Sequence, residues 1–209
     1  MHYTRIAGMG VSIFALSTAL AFQGAAPITG QWMIERRSGD GTIQLTLSGS
    51  NGSSGHFSHS SDISLDQLRG LTREQMGAPS ASVRFEIMRD AGTLQCEGNF
   101  KNGTGAGLFT FALNAKYTTD MKAQGYDSLP PQTVFQMAVH NVTVAYVRGL
   151  RELGMKSVST DQLMAMSIHG VAIEYIREMK SLGYGELTPD NLVAYLKRVK
   201  SDDSPEVSR

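Results

Sequence analysis

Residues 159–184 read STDQLMAMSIHGVAIEYIREMKSLGY, and the spacing of their apolar side chains decides the second half of the chain. Leu163, Met166 and Ile168, then Tyr175, Ile176, Met179 and Leu182, fall about three and four apart, which gives each set one face of a helix. Ser159 stands where a helix cap stands and Gly170 marks a turn. Gly183 is placed for the left-handed residue that ends a helix, with Tyr184 folding back onto the last turn. The unit reads as two helices joined by a tight turn.

The pattern returns at a period of 29 residues. Leu129, Val158 and Leu187 correspond, as do Val134, Leu163 and Leu192; Tyr117 matches Tyr146 and Tyr175, His140 matches His169, and Gly125 matches Gly154 and Gly183. Such a period is the mark of stacked helical hairpins, each burying its apolar face on a neighbour and together presenting a surface for a partner. Over residues 114–200 the spacing predicts a lone second helix near Tyr117–Gln124, two full hairpins, and a final first helix opened by Thr188 and Pro189. Lys197 and Arg198 replace Ile168 and His169 of the preceding unit, as a solvent-facing last repeat requires. Residues 201–209 are charged, carry Pro205, and are expected to be a disordered tail.

Before Asn114 the period changes to two. Trp32 and Ile34, then Ile43, Leu45 and Leu47, then Val83, Phe85 and Ile87, then Leu94, Cys96 and Phe100, then Phe109, Phe111 and Leu113 alternate with polar neighbours, which predicts antiparallel strands with one buried face. Asp90-Ala91-Gly92-Thr93 and Asn102-Gly103 supply the hairpin turns. Ser50–Ser54 has no apolar anchor and reads as a loop, and Ser64 opens a short helix that crosses the barrel before Leu71. The expected fold class is α+β: an antiparallel β-meander over residues 27–113, closing into a small sandwich or barrel, followed by the short array of helical hairpins.

The first 26 residues read as a signal peptide: Arg5 precedes 17 small or apolar residues, Ile6–Phe22, with cleavage options after Ala21 and Ala26. The alternative is an uncleaved anchor formed by one transmembrane helix. Either places the rest outside the cytoplasm, in the periplasm or at the envelope, with no stable membrane insertion once the leader is removed. Nineteen basic residues balance nineteen acidic ones, which leaves no electrostatic footprint for nucleic acid. Cys96 is the only cysteine, and its alternation with Leu94 assigns it to the core as a small hydrophobe.

Three stretches carry a family resemblance. Arg89-Asp90-Ala91-Gly92-Thr93, then Glu97-Gly98-Asn99-Phe100 with Gly103-Thr104-Gly105-Ala106-Gly107-Leu108-Phe109-Thr110-Phe111, then the units Ile168-His169-Gly170-Val171 and Glu174–Met179 ending in Leu182-Gly183-Tyr184, resemble an uncharacterised exported bacterial region. That region is found in stand-alone proteins and in the C-terminal tails of membrane zinc peptidases of the β-lactam-sensor type. The resemblance implies an envelope protein without a peptidase domain: no His-Glu-x-x-His occurs, so a metallopeptidase role is not implied.

Candidate chemistry is sparse. Gly103, Gly105 and Gly107 imitate a phosphate loop, but a strand follows them where a helix N-terminus is needed. His56, His59 and Asp62 have ligand types for a zinc-like ion, yet three-residue spacing gathers them only if the stretch is not a strand. His140 and His169 recur at ends of first helices, where a hydrogen bond or a helix-terminal charge explains them. Asp90 and Glu97 flank one hairpin as the nearest pair of carboxylates. Met137, Met166 and Met179 fill core gaps, with an adaptable peptide-binding groove as the alternative. The expected function is that of a non-catalytic binding or protein-interaction module of the envelope, needing no cofactor, with an envelope protein or peptide as partner. Its contacts are assigned to a basic ridge on the second helices, Arg148 and Arg151 with Arg177 and Lys180, beside Tyr146 and Tyr175. The alternative is a small hydrolase or metal-dependent enzyme with its site between the β-domain and the repeats.

Overall fold

The computed structural model describes residues 27–36, 43–50, 55–185 and 187–202, so the expected signal peptide at 1–26 and, in part, the expected loop at 50–54 and the expected tail at 201–209 lie outside the described residues. The described residues form a mixed α+β fold with a six-stranded antiparallel sheet and seven helices. The strands are β1 (Ile28–Arg36), β2 (Ile43–Ser50), β3 (His56–Ile63), β4 (Ala81–Arg89), β5 (Gly92–Lys101) and β6 (Thr104–Leu113), in the order β3-β2-β1-β6-β5-β4. Two three-stranded meanders are thus joined where the first strand pairs with the last. Strand β3 was not among the expected alternations, because two of its four inward positions are His59 and Ser61.

The sheet curls around Trp32. Neighbouring strands lie about 4.8 Å apart, so Trp32 on β1 and Phe85 on β4 would stand roughly 14 Å apart in a flat sheet. Their ring centroids are 5.0 Å apart. The residues opposite Trp32 across the ladder are Gly107 and then Gly98, and a Cβ on Gly98 would come within 2.7 Å of the indole. Without those side chains the indole lies down on the sheet, donates from Nε1 to the Glu97 carbonyl at 3.1 Å, and packs against Phe100 at 5.9 Å. The barrel-like wrap therefore comes from one sheet whose ends, β3 and β4, do not pair with each other.

The link between those ends crosses the gap. The expected capped helix is a single 3-10 turn, Leu65–Gln67, in which the Ser64 side chain caps no backbone amide. Polar Asp66 and Gln67 give this stretch too few buried positions to extend a helix. Arg69 then pairs with Glu86 on β4, and α1 (Arg73–Gly77) follows, opened by a Thr72–Gln75 capping box.

The remaining helices are α2 (Ala115–Ala123), α3 (Pro131–Val139), α4 (Val144–Glu152), α5 (Thr160–His169), α6 (Ile173–Ser181) and α7 (Pro189–Asp202). Ser159 caps α5 in a box with Gln162, Thr143 caps α4, and Gly125, Gly154 and Gly183 take left-handed φ values of 93°, 90° and 75° after α2, α4 and α6. Phe135 of α3 docks on the inner face of the sheet between Phe57, Phe109 and Phe111, at 5.3, 5.7 and 5.3 Å.

Asp90, in the β4–β5 turn, supplies the second joint. Its carboxylate accepts from the Val144 amide that opens α4, while its carbonyl accepts from the Asn114 side chain that caps α2. Buried side chains form one cluster from Trp32 to Leu192, so Asn114 marks a change of secondary structure within a shared core.

Gly98→Ala should destabilise the protein by about 1–3 kcal/mol, because the methyl must displace either the Trp32 ring or the β6 backbone. Gly77→Ala, whose methyl meets open space, should change stability by less than about 0.5 kcal/mol; urea unfolding of both variants checks the contrast.

Candidate binding surfaces

The basic ridge divides when its partners are traced. Arg151 donates to the Gln124 carbonyl at 2.8 Å, and Lys180 donates to the Leu153 carbonyl, so each neutralises the C-terminal carbonyl of the preceding second helix. Tyr146 is held likewise, its hydroxyl donating to the Val171 carbonyl at 2.8 Å, and burial pushes that hydroxyl up to about 12. Arg148 and Arg177 remain exposed, and Tyr175 is half-buried. Both arginines line a cleft of about 360 Å³ between α4 and α6 with Glu152 and Glu174, and Arg177 reaches Glu174 at 3.4 Å. The cleft therefore carries both signs of charge.

The larger concavity lies on the outer face of the sheet. A trough of about 1530 Å³ crosses it, lined by residues of all six strands from β3 to β4. One row of side chains runs across all six strands: Ser58, Ser48, Gln31, Leu108, Glu97 and Arg84, each opposite the next in the ladder. A second row adds Thr29, Thr110, Gln95 and Glu86. Most of these groups are neutral donors and acceptors held at fixed spacing by strand pairing. The charges sit at the β4 side, where Arg84 stands 3.7 Å from Glu97 and both are largely exposed. Leu108 is 58% exposed and forms an apolar floor. Sequence reading missed this surface, since alternate polar residues on strands announce solvent but not concavity.

The His56, His59 and Asp62 set does not converge: as residues of β3, His56 and Asp62 are exposed on the outer face and His59 points inward. Among the described residues no group of three or more His, Cys, Asp or Glu is placed to hold a metal ion. His59 instead meets His140, the residue that ends α3, ring edge to ring face at 4.5 Å. Desolvation, with His59 adding a smaller effect, holds His140 down at about 4, and burial lowers His59 as well. Both rings are neutral at pH 7, so His140 does not act as a helix-terminal charge. His169 lies in the last turn of α5. Next to His59, in the seam between sheet and helices, a cavity of about 30 Å³ also touches Ser61, Asp62 and Arg89, which is space for about one water.

The other candidates have structural places. Gly105 and Gly107 belong to β6, and Asn102 and Gly103 form the β5–β6 turn with φ values of 50° and 91°. Asp90 and Glu97 part company, one at the α4 N-terminus and the other on the outer face. Cys96 is buried, its thiol pushed up to about 12 by desolvation. Met137, Met166 and Met179 are core residues. No protein-family model matches the chain, and no curated protein or solved structure matches it.

Because His140 binds its proton more weakly when folded than the ordinary 6.5 of the unfolded chain, acid favours unfolding. Its contribution is complete above about pH 6.5 and is lost as pH falls toward 4. Stability measured by urea unfolding should therefore drop between neutral pH and pH ~4.5, and should drop less in His140→Gln; equal slopes would show that the imidazole pair carries none of the effect.

Proposed function

We propose that the chain is an exported, non-catalytic binding module of the bacterial envelope. Its ligand surface is the trough on the outer face of the sheet, and its helical half is an array of 29-residue hairpins bracing that sheet. The observation that carries the reading is the trough itself: some 1530 Å³ of open concavity lined by Thr29, Gln31, Ser48, Ser58, Gln95 and Thr110, whose positions the ladder fixes before any ligand arrives. A surface of mostly neutral donors and acceptors suits the polar backbone of a protein or peptide better than a polyanion.

The array is supported by bonds that recur at the sequence period. Helices α2, α4 and α6 begin 29 residues apart, as do α3, α5 and α7. Tyr117 donates to Val142 as Tyr146 donates to Val171, and Arg151 serves Gln124 as Lys180 serves Leu153. These pairs tie each hairpin to the next, which is the nearest-neighbour coupling of a repeat protein. Export rests on the leader pattern of residues 1–26, and the envelope on the resemblance of the glycine-rich hairpin and the helical units.

Affinity capture from an envelope extract tests the site. Gln31→Ala with Gln95→Ala should abolish capture while leaving folding intact, since both side chains are exposed. Arg148→Glu with Arg177→Glu should leave capture unchanged. The reverse pattern would return the binding site to the cleft between α4 and α6.

A further inference from the structure

The two edges of the sheet are treated differently. At β4, Arg69 and Glu86 exchange backbone hydrogen bonds of 2.9 Å each, and α1 packs alongside, so that edge is covered. At the other end, β3 pairs with β2 residue for residue from Ile43 opposite Ile63 to Ser50 opposite His56, with no bulge, and its sequence HFSHSSDI holds no Lys, Arg or Pro. Bulges, prolines and lysines are the usual devices that keep a sheet edge from accepting another strand. Strand β3 has none of them.

We propose that β3 pairs with β3 of a second copy of this chain, antiparallel and centred on His59, joining two sheets into one. The occupant follows from the placement of a hydrogen-bond donor and an acceptor. His56 and Asp62 stand three residues either side of His59, and both are exposed on the outer face. Antiparallel pairing about His59 sets His56 of each copy opposite Asp62 of the other. Two imidazole–carboxylate pairs form, each able to share a hydrogen bond, and no like charges meet. The same register places Ser58 opposite Ser60 on the outer face and Phe57 opposite Ser61 on the inner face. The His-x-x-His-x-x-Asp spacing, which a strand cannot gather into a metal site on one side, becomes a symmetric pairing code across two strands. The row through Ser58 and Ser48 would then run on into the second copy.

Sedimentation equilibrium of the purified full chain, with hydrogen exchange read at the β3 amides, tests this. The expected result is a dimer whose β3 amides gain protection as concentration rises. His56→Asp sets like charges opposite each other at both ends of the pairing and should weaken association about tenfold. Adding Asp62→Lys to that variant should restore it, and helical circular dichroism should stay unchanged throughout. A monomer at every concentration overturns the proposal, as does a dimer indifferent to His56→Asp or one not rescued by the double change. Protection of β3 that appears only on adding an envelope extract assigns the edge to another protein and overturns it equally.

Discussion

The packing of one indole against two glycines is the constraint on which the rest of the fold depends. Trp32 is fully buried, and it reaches Phe85 only because Gly98 and Gly107 let the ring lie flat on the strands between them. The resulting curl gives the inner face enough depth to bury Phe100, Phe109 and Phe111, and it leaves a mouth into which Phe135 of α3 is inserted. The helices are thereby seated on the sheet by apolar contact, and Asp90 ties the α4 N-terminus to the β4–β5 turn. A side chain at Gly98 would act on all of this at once.

The division between the two faces of the sheet follows from the same curl. The inner face is consumed by the core, so its His59, and His140 at the end of α3 packed on it, are desolvated and neutral. The outer face keeps its polar side chains in water, where the ladder spaces them along the trough. In the proposed function the helices supply rigidity and the outer face supplies contacts, an arrangement in which binding need order few side chains. Arg151 and Lys180 fit this division, since their charges are spent on helix carbonyls.

Much of the fold was legible in the sequence wherever local chemistry decides local structure. The capping residues Ser159 and Thr188, the left-handed Gly125, Gly154 and Gly183, and the Asn102-Gly103 turn all act within four or five residues of themselves, and each stands where its type predicts. Strand β3 was not legible, because His59 and Ser61 break the apolar alternation, and the packing partner of His59 is His140 at the end of a helix far along the chain. The ridge was half legible: the recurrence of Arg151 and Lys180 was visible, but recurrence alone does not tell a contact made to a partner from one made to the carbonyl 27 residues back. The trough is lined by residues of all six strands, and no single strand records it.

The most direct test of the shared, Trp32-centred core uses the fact that the chain has one tryptophan. Its fluorescence reports the inner face of the sheet, while circular dichroism reports the helices. In a urea titration the two signals should give one midpoint in the wild-type protein and shift together in Gly98→Ala. Helical signal that outlasts the exposure of Trp32, or a Gly98→Ala shift seen in fluorescence alone, would contradict a common core and make the helices an independent unit.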